Sequence, residues 1–214
     1  MTPARDRTAH LVVAAVAWFA LVFQLVLVVS GEAILVEEDP PGLVARVYRY
    51  FAYFTIQSNF LVAISSTVLA RDPREDRFRW RVVRLAGLVG ITVTNLVYFF
   101  LLRGLLELEG ANWLADLLLH MVVPALAVAA WAWVGPRPRF TWRAAAYVLC
   151  WPLGWLVWTL VVGRIDGWVP YPFLDAEKEG WGSVVVVSTG ITVLFLLLFT
   201  VIGWLDRKLP PAPR

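Results

Sequence analysis

Six apolar segments of about twenty residues each constrain the fold of this 214-residue chain more than any other feature. They cover roughly residues 11–30, 48–70, 82–102, 114–134, 144–162 and 183–204. A helix needs about 20 apolar residues to cross the roughly 30 Å hydrocarbon layer of a membrane. Only 16% of the residues are charged. The pattern predicts an all-α, polytopic membrane protein, with six transmembrane helices in one bundle that forms a single domain over residues 1–214.

The basic residues predict the orientation of these helices. Fourteen of the nineteen Lys and Arg residues lie near the two termini and in the loops after the second and fourth segments. Cytoplasmic loops of membrane proteins carry an excess of these residues. We therefore expect both termini to be cytoplasmic, in the inner or plasma membrane of the cell. The arginine-rich loop of residues 71–84 is interpreted as a topology signal that also touches anionic headgroups, so no nucleic-acid partner is expected.

His120 is an ionisable residue inside a long apolar run. Such a residue at membrane depth is costly and by default marks a functional site. In the predicted orientation His120, Thr55 and Asn95 lie roughly 10–12 Å below the outer surface on three helices, at 1.5 Å per residue. A neutral imidazole needs one donor and one acceptor, which a hydroxyl partner supplies. The three side chains can therefore meet inside the bundle. The alternative is a structural layer of polar residues that joins helices by hydrogen bonds.

Two neighbours of His120 add to this hypothesis. Asp116 lies four residues earlier and so shares a helical face with His120. It either orients the imidazole, as the third member of a nucleophile–base–orienter set does, or faces headgroup water at the start of the helix. Pro124 lies four residues later and lacks the N–H that would bond the His120 carbonyl, so a kink is predicted there.

Three motifs carry a resemblance to a known family. They are Tyr-Phe-Thr-Ile-Gln-Ser-Asn at residues 53–59, His120 followed by Pro124, and Trp-Val-Pro-Tyr-Pro-Phe-Leu-Asp at residues 168–175. Over nearly the whole chain the sequence resembles the androgen-induced and androgen-dependent TFPI-regulating membrane proteins. Animal members are intramembrane hydrolases of fatty acid esters of hydroxy fatty acids, with a threonine nucleophile and a histidine. The resemblance places these roles on Thr55 and His120 and makes membrane lipids the expected substrate.

The same resemblance bears on localisation, whereas elementary chemistry bears on the wider site. The arginine-rich second loop and the acidic first loop look like a bacterial branch of the family. A threonine nucleophile needs a neighbouring base, and histidine is the usual one. A tetrahedral oxyanion needs hydrogen-bond donors, which Asn59 and Asn95 can supply. Asn59 shares the helical face of Thr55, and Ser58 is the adjacent option.

Other classes of function are weighed against hydrolysis. No metal or cofactor is expected, because zinc needs about three protein ligands and the bundle offers only His120 and Cys150. A small-solute transporter with Asp116 as a proton site remains open, although we find no repeat between the two halves of the chain. A non-catalytic protein with a structural polar layer is the other alternative. The aromatic residues of the 163–182 segment predict an interfacial belt first and a cover over the site second.

Overall fold

The computed structural model describes residues 3–32, 41–105 and 107–210, and this part of the chain is all-helical. The α-helices are α1 (Pro3–Ser30), α2 (Leu43–Ala52), α3 (Phe54–Arg71), α4 (Phe78–Val97), α5 (Gly110–Leu117), α6 (Val123–Trp133), α7 (Trp142–Asp166) and α8 (Ala176–Lys208). A π-helical turn at Tyr98–Leu102 follows α4, and a second at Leu118–Val122 joins α5 to α6. A 3-10 turn at Pro172–Leu174 precedes α8. Glu37, Glu38 and Asp39 of the predicted acidic loop lie outside the described residues.

Several of these helices are long and apolar enough to cross a membrane. Within the described ranges there are five such stretches: Arg5–Ser30, Phe78–Leu102, Gly110–Trp133, Trp142–Asp166 and Ala176–Lys208. Five of the six predicted apolar segments fall on these stretches. Helices α2 and α3 together make a sixth, but they meet at an angle of 67°. The prediction of an all-helical chain with several apolar spans is thus confirmed.

The continuous second helix predicted over residues 48–70 is wrong. The helix is broken at Tyr53, where the backbone is extended (φ −65°, ψ 128°). Helix α2 ends just before this residue and α3 begins just after it. Helix α2 is amphipathic: Val44 is exposed, whereas Tyr50 is buried and donates a hydrogen bond to the Leu21 carbonyl at 2.8 Å. The break creates a new helix N-terminus at Phe54, where backbone N–H groups have no acceptor within the helix.

Helices α3 and α4 form the centre of the bundle. Both contribute to two apolar cores, one shared with α7 and α8 and the other shared with α1 and α6. Glycines let the two helices approach closely. A Cβ at Gly87 would lie 3.1 Å from the backbone of Leu61, and one at Gly90 would lie 3.0 Å from Ser58 Oγ. This close packing fixes α3, and so Thr55, against its neighbours.

Candidate functional site

Three of the predicted site residues, Thr55, His120 and Asp116, form one hydrogen-bonded chain. Thr55 Oγ1 is 3.3 Å from His120 Nε2. On the other side of the ring, Nδ1 is 3.0 Å from Asp116 Oδ1 and 3.1 Å from the Asp116 carbonyl oxygen. Because a carboxylate and a carbonyl only accept hydrogen bonds, Nδ1 carries the proton of the neutral ring. Nε2 is therefore an acceptor that faces the hydroxyl of Thr55, which is the geometry a general base requires.

Tyr98 holds the His120–Asp116 pair in place. Its hydroxyl donates to Asp116 Oδ2 at 2.5 Å, and its ring stacks on the imidazole with centroids 4.3 Å apart and planes 14° apart. Tyr98 opens the π-helical turn that follows α4. The side chains of His120 and Asp116 are 15% and 16% exposed, so part of the pair reaches the surface of the bundle. The sequence analysis did not single out Tyr98.

Asn59 and Asn95 bind backbone carbonyls around the site. The amide of Asn59 donates to the carbonyls of Thr55 (2.8 Å) and Leu119 (3.2 Å). The amide of Asn95 donates to the His120 carbonyl at 2.7 Å and also contacts the sulfur of Met121 at 3.3 Å. Both N–H bonds of each amide are thus engaged. Their predicted use as oxyanion donors does not fit this arrangement, which makes them positioning residues.

Pro124 explains why asparagines are needed at these carbonyls. It has no N–H to offer to His120 four residues earlier or to Leu119 five residues earlier. The chain passes this point through the π-helical turn of Leu118–Val122, which carries His120 itself. π-Helical turns are rare and occur frequently at functional sites. The irregularity predicted at Pro124 therefore takes the form of a π-turn whose free carbonyls are bonded by side chains of α3 and α4.

Ser58 belongs to a separate contact on α3. It is fully buried, and its Oγ accepts a hydrogen bond from Thr94 Oγ1 of α4 at 3.3 Å. The close approach of Gly90 leaves little space around this hydroxyl. Ser58 therefore joins α3 to α4, and Thr55 is the α3 hydroxyl that contacts His120.

Tyr171 is the second side chain in contact with the Thr55 hydroxyl, beside His120. Its hydroxyl oxygen is 3.2 Å from Thr55 Oγ1 and accepts a hydrogen bond from the Thr55 N–H, also at 3.2 Å. Burial raises the pKa of Tyr171, against the opposing effect of hydrogen bonds from Thr55 and from the Phe54 backbone. The phenol consequently keeps its proton near neutral pH and can donate it in a hydrogen bond.

The sequence analysis missed Tyr171 because it assigned the 163–182 segment mainly to an interfacial belt. Trp181, with 48% of its surface exposed, fits such a belt, whereas Tyr171 is only 8% exposed. A signal was present in the sequence. Tyr171 lies between Pro170 and Pro172, and prolines on both sides restrict the backbone and hold the residue between them in an extended conformation.

An apolar cavity adjoins Thr55. It encloses about 680 Å³ not occupied by atoms, part of it continuous with the outside of the bundle. Its walls are largely aromatic and aliphatic; they include Phe54, Trp155, Leu156, Leu174 and Phe195. Thr55 and Tyr171 also line it, whereas His120 does not. The Thr55 hydroxyl therefore lies between the imidazole and a space suited to an apolar ligand.

A hydroxyl, an imidazole, a carboxylate and two phenols are in contact here, and these are groups that nucleophilic and acid–base catalysis can use. Among the residues that the structure describes, no group of three or more His, Cys, Asp and Glu side chains is placed to hold a metal ion. Comparison of the chain with protein families, with curated proteins and with solved structures finds no match.

Proposed function

We propose that this protein is an intramembrane hydrolase of fatty acid esters, with Thr55 as nucleophile and His120 as general base. The observation that carries the proposal is the Thr55–His120–Asp116 chain beside an apolar cavity. A nucleophile, a base and a group that orients the base form the arrangement that activates a hydroxyl for attack on a carbonyl carbon. The resemblance to the TFPI-regulating membrane proteins supports the same reaction class.

The proposed reaction proceeds in two stages. Thr55 Oγ1 attacks the ester carbonyl carbon while its proton passes to His120 Nε2. The tetrahedral intermediate then breaks its bond to the alcohol oxygen, and His120 returns the proton to the departing alcohol. In the second stage His120 takes a proton from water as the water attacks the acyl-threonine. Release of the fatty acid restores the Thr55 hydroxyl.

The oxyanion of the intermediate is stabilised by groups other than the asparagines. Tyr171 can donate its phenol proton, and the Thr55 N–H, in the first turn of α3, donates to the Tyr171 hydroxyl and holds it beside the nucleophile. The N-terminus of a helix carries a partial positive charge, which favours a negative charge beside it. The break at Tyr53 is therefore part of the proposed mechanism, because it places this helix end at the nucleophile.

The cavity and the apolar helices define the proposed setting. We propose that the acyl chain lies in the apolar cavity and that water reaches the site from the exposed side of His120 and Asp116. The five long helices and the bent α2–α3 pair are proposed to span a bacterial cell membrane, with both termini cytoplasmic as the distribution of Lys and Arg predicts. The Thr55 site then opens toward the outer leaflet, where a lipid ester can enter laterally.

The test is covalent labelling combined with turnover of esters. The purified full-length protein would be treated with a long-chain alkyl fluorophosphonate, which phosphonylates an activated hydroxyl with loss of fluoride, and assayed on a panel of fatty acid esters that includes esters of hydroxy fatty acids. We expect the adduct on Thr55. Thr55→Ala and His120→Ala should each lower turnover by about 10³-fold or more.

Thr92→Ala is the matched control, because among the described residues the Thr92 hydroxyl bonds only the Leu88 carbonyl of its own helix, at 2.7 Å. It should leave labelling and turnover unchanged. Retained turnover in a folded Thr55→Ala variant would exclude the threonine mechanism. If no ester is hydrolysed and both site variants melt far below the wild type, the polar layer is structural, and transport with Asp116 as a proton site becomes the next hypothesis.

A further inference from the structure

A second cavity lies at the opposite end of the bundle from Thr55. It holds about 570 Å³ not occupied by atoms, part of it continuous with the outside of the bundle, and its walls include Trp80 and Arg84 at the start of α4 and Asp206 near the end of α8. Arg84 lies eleven residues before Asn95 on α4, which corresponds to roughly 16 Å along the helix axis. The cavity is therefore a site separate from the one assigned to ester hydrolysis.

The acidic groups on the wall of this cavity already have partners. Asp76 pairs with Arg81 and Arg139, Glu75 pairs with Arg77, and Asp206 accepts hydrogen bonds from the Trp131 indole and from the backbone N–H groups of Arg139 and Phe140. These three carboxylates are thus ion-paired or hydrogen-bonded within the protein.

Two hydrogen-bond donors on the same wall have no partner in the described part of the chain. Arg84 uses Nη1 to donate to the Pro136 carbonyl at 2.7 Å. Its Nη2 and the Nε1 of Trp80 are buried and find no hydrogen-bond partner among the described residues. In the described part of the chain Arg84 has no ion pair within 4.0 Å, and the charge of Asp206 acts on it from farther away. Guanidinium and indole N–H groups can only donate, so burying each of these two donors without an acceptor is costly.

We propose that this cavity binds a phosphate group, which accepts hydrogen bonds from Arg84 and Trp80. A guanidinium matches the geometry of phosphate oxygens and supplies the opposite charge. Leu85, Leu88 and Ile202 form an apolar wall of the cavity, which suits the non-polar part of a phosphate ester. The phosphate belongs either to the headgroup of an anionic lipid or to a water-soluble phosphate compound. The site is independent of the reaction proposed at Thr55.

The experiment is equilibrium binding to the purified full-length protein in an uncharged detergent. Labelled phosphatidylglycerol, glycerol 3-phosphate and inorganic phosphate are the probes, and phosphatidylcholine is the zwitterionic comparison. We expect saturable binding of one phosphate compound per chain. Binding of phosphatidylglycerol alone would identify a lipid headgroup, whereas binding of glycerol 3-phosphate or inorganic phosphate would identify a soluble ligand. No saturable binding of any probe would overturn the proposal.

Variants assign the binding to the proposed donors. Arg84→Gln should weaken the affinity about tenfold or more, because a charge-assisted hydrogen bond is lost. Trp80→Phe removes one N–H and should weaken it by about threefold. Arg74→Gln, which removes the same charge from an exposed side chain, is the control and should bind as the wild type does. If Arg84→Gln does not fold, Trp80→Phe and Arg84→Lys decide: wild-type affinity in both would overturn the proposal.

Discussion

The polar regions around Thr55 and around Asp206 lie at opposite ends of the bundle, and both are buried. Asp206 is 3% exposed and Thr55 is 6% exposed. Asp206 accepts hydrogen bonds from the Trp131 indole at 3.3 Å and from the Phe140 backbone N–H at 2.8 Å, and the Arg139 N–H supplies a third. Indole and backbone N–H groups keep their protons at physiological pH. The Asp206 region is therefore built to hold the chain together.

The partners of Thr55 are of another kind. His120 can take up a proton, Tyr171 can share one, and an apolar cavity leaves space beside the hydroxyl. Burial of a polar group is common to both regions and so does not distinguish a reactive site from a structural one. What distinguishes them is whether the partner can move a proton and whether a substrate has room to approach.

The largest expected effect is a loss of stability at the Asp206 end of the bundle. Asp206→Ala should lower the stability by about 3–5 kcal/mol, because buried N–H groups lose their acceptor and the nearby charges of Arg84 and Arg137 lose the carboxylate that attracts them. Thermal unfolding in detergent measures the loss. Labelling of Thr55 per folded molecule should not change. A variant that melts like the wild type would show that Asp206 does not hold this end together.

The next largest expected effect is on ester turnover, at the Thr55 end of the bundle. Asp116→Asn should lower ester turnover by about 10²-fold while the melting temperature stays close to that of the wild type. The Asp116 carbonyl still accepts from His120 Nδ1, so the ring keeps part of its orientation and the loss is smaller than for His120→Ala. Glu109→Gln, an exposed acid at the same end, is the control. Equal turnover in both variants would assign Asp116 to the headgroup region instead.

Tyr171→Phe sharpens the assignment of the oxyanion donor. Removing only this hydroxyl should lower turnover by about tenfold, mainly through kcat, because the donor acts on charge that develops in the transition state. The steady-state kinetics of the purified variant measure it. Tyr147→Phe changes a tyrosine that is 54% exposed and should have no effect. A change confined to KM would indicate that Tyr171 shapes the cavity and does not stabilise the oxyanion.

The smallest expected effect is again on stability, through a donor to Asp206. Trp131→Phe removes one of its three donors and should cost about 1 kcal/mol of stability, with no change in turnover. The matched substitution is Trp133→Phe, two residues later on α6 at a position that is 71% exposed. Thermal unfolding of the two variants compares them directly. A loss of turnover in Trp131→Phe alone would mean that the two ends of the bundle are coupled.

The amino-acid sequence by itself determined the all-helical architecture and the place of most of the long apolar helices. Hydropathy is summed over neighbouring residues, so a run of about twenty apolar residues predicts a span without knowledge of any other part of the chain. The contact between Asp116 and His120 was predictable for the same reason, since residues four apart share a face of one helix. The common depth of Thr55 and His120 allowed the two side chains to meet, and the family resemblance added the roles expected of them.

Only the tertiary structure decided what surrounds Thr55. The break at Tyr53, the stacking of Tyr98 on His120 and the contact of Tyr171 with a residue 116 positions away depend on how the helices are rotated and how deeply each is set. Rotation and depth follow from packing across the whole bundle, such as the close approach of α3 and α4 at Gly87 and Gly90. A sequence window carries the hydropathy of its own residues, whereas a hydrogen bond between helices depends on every contact that positions both.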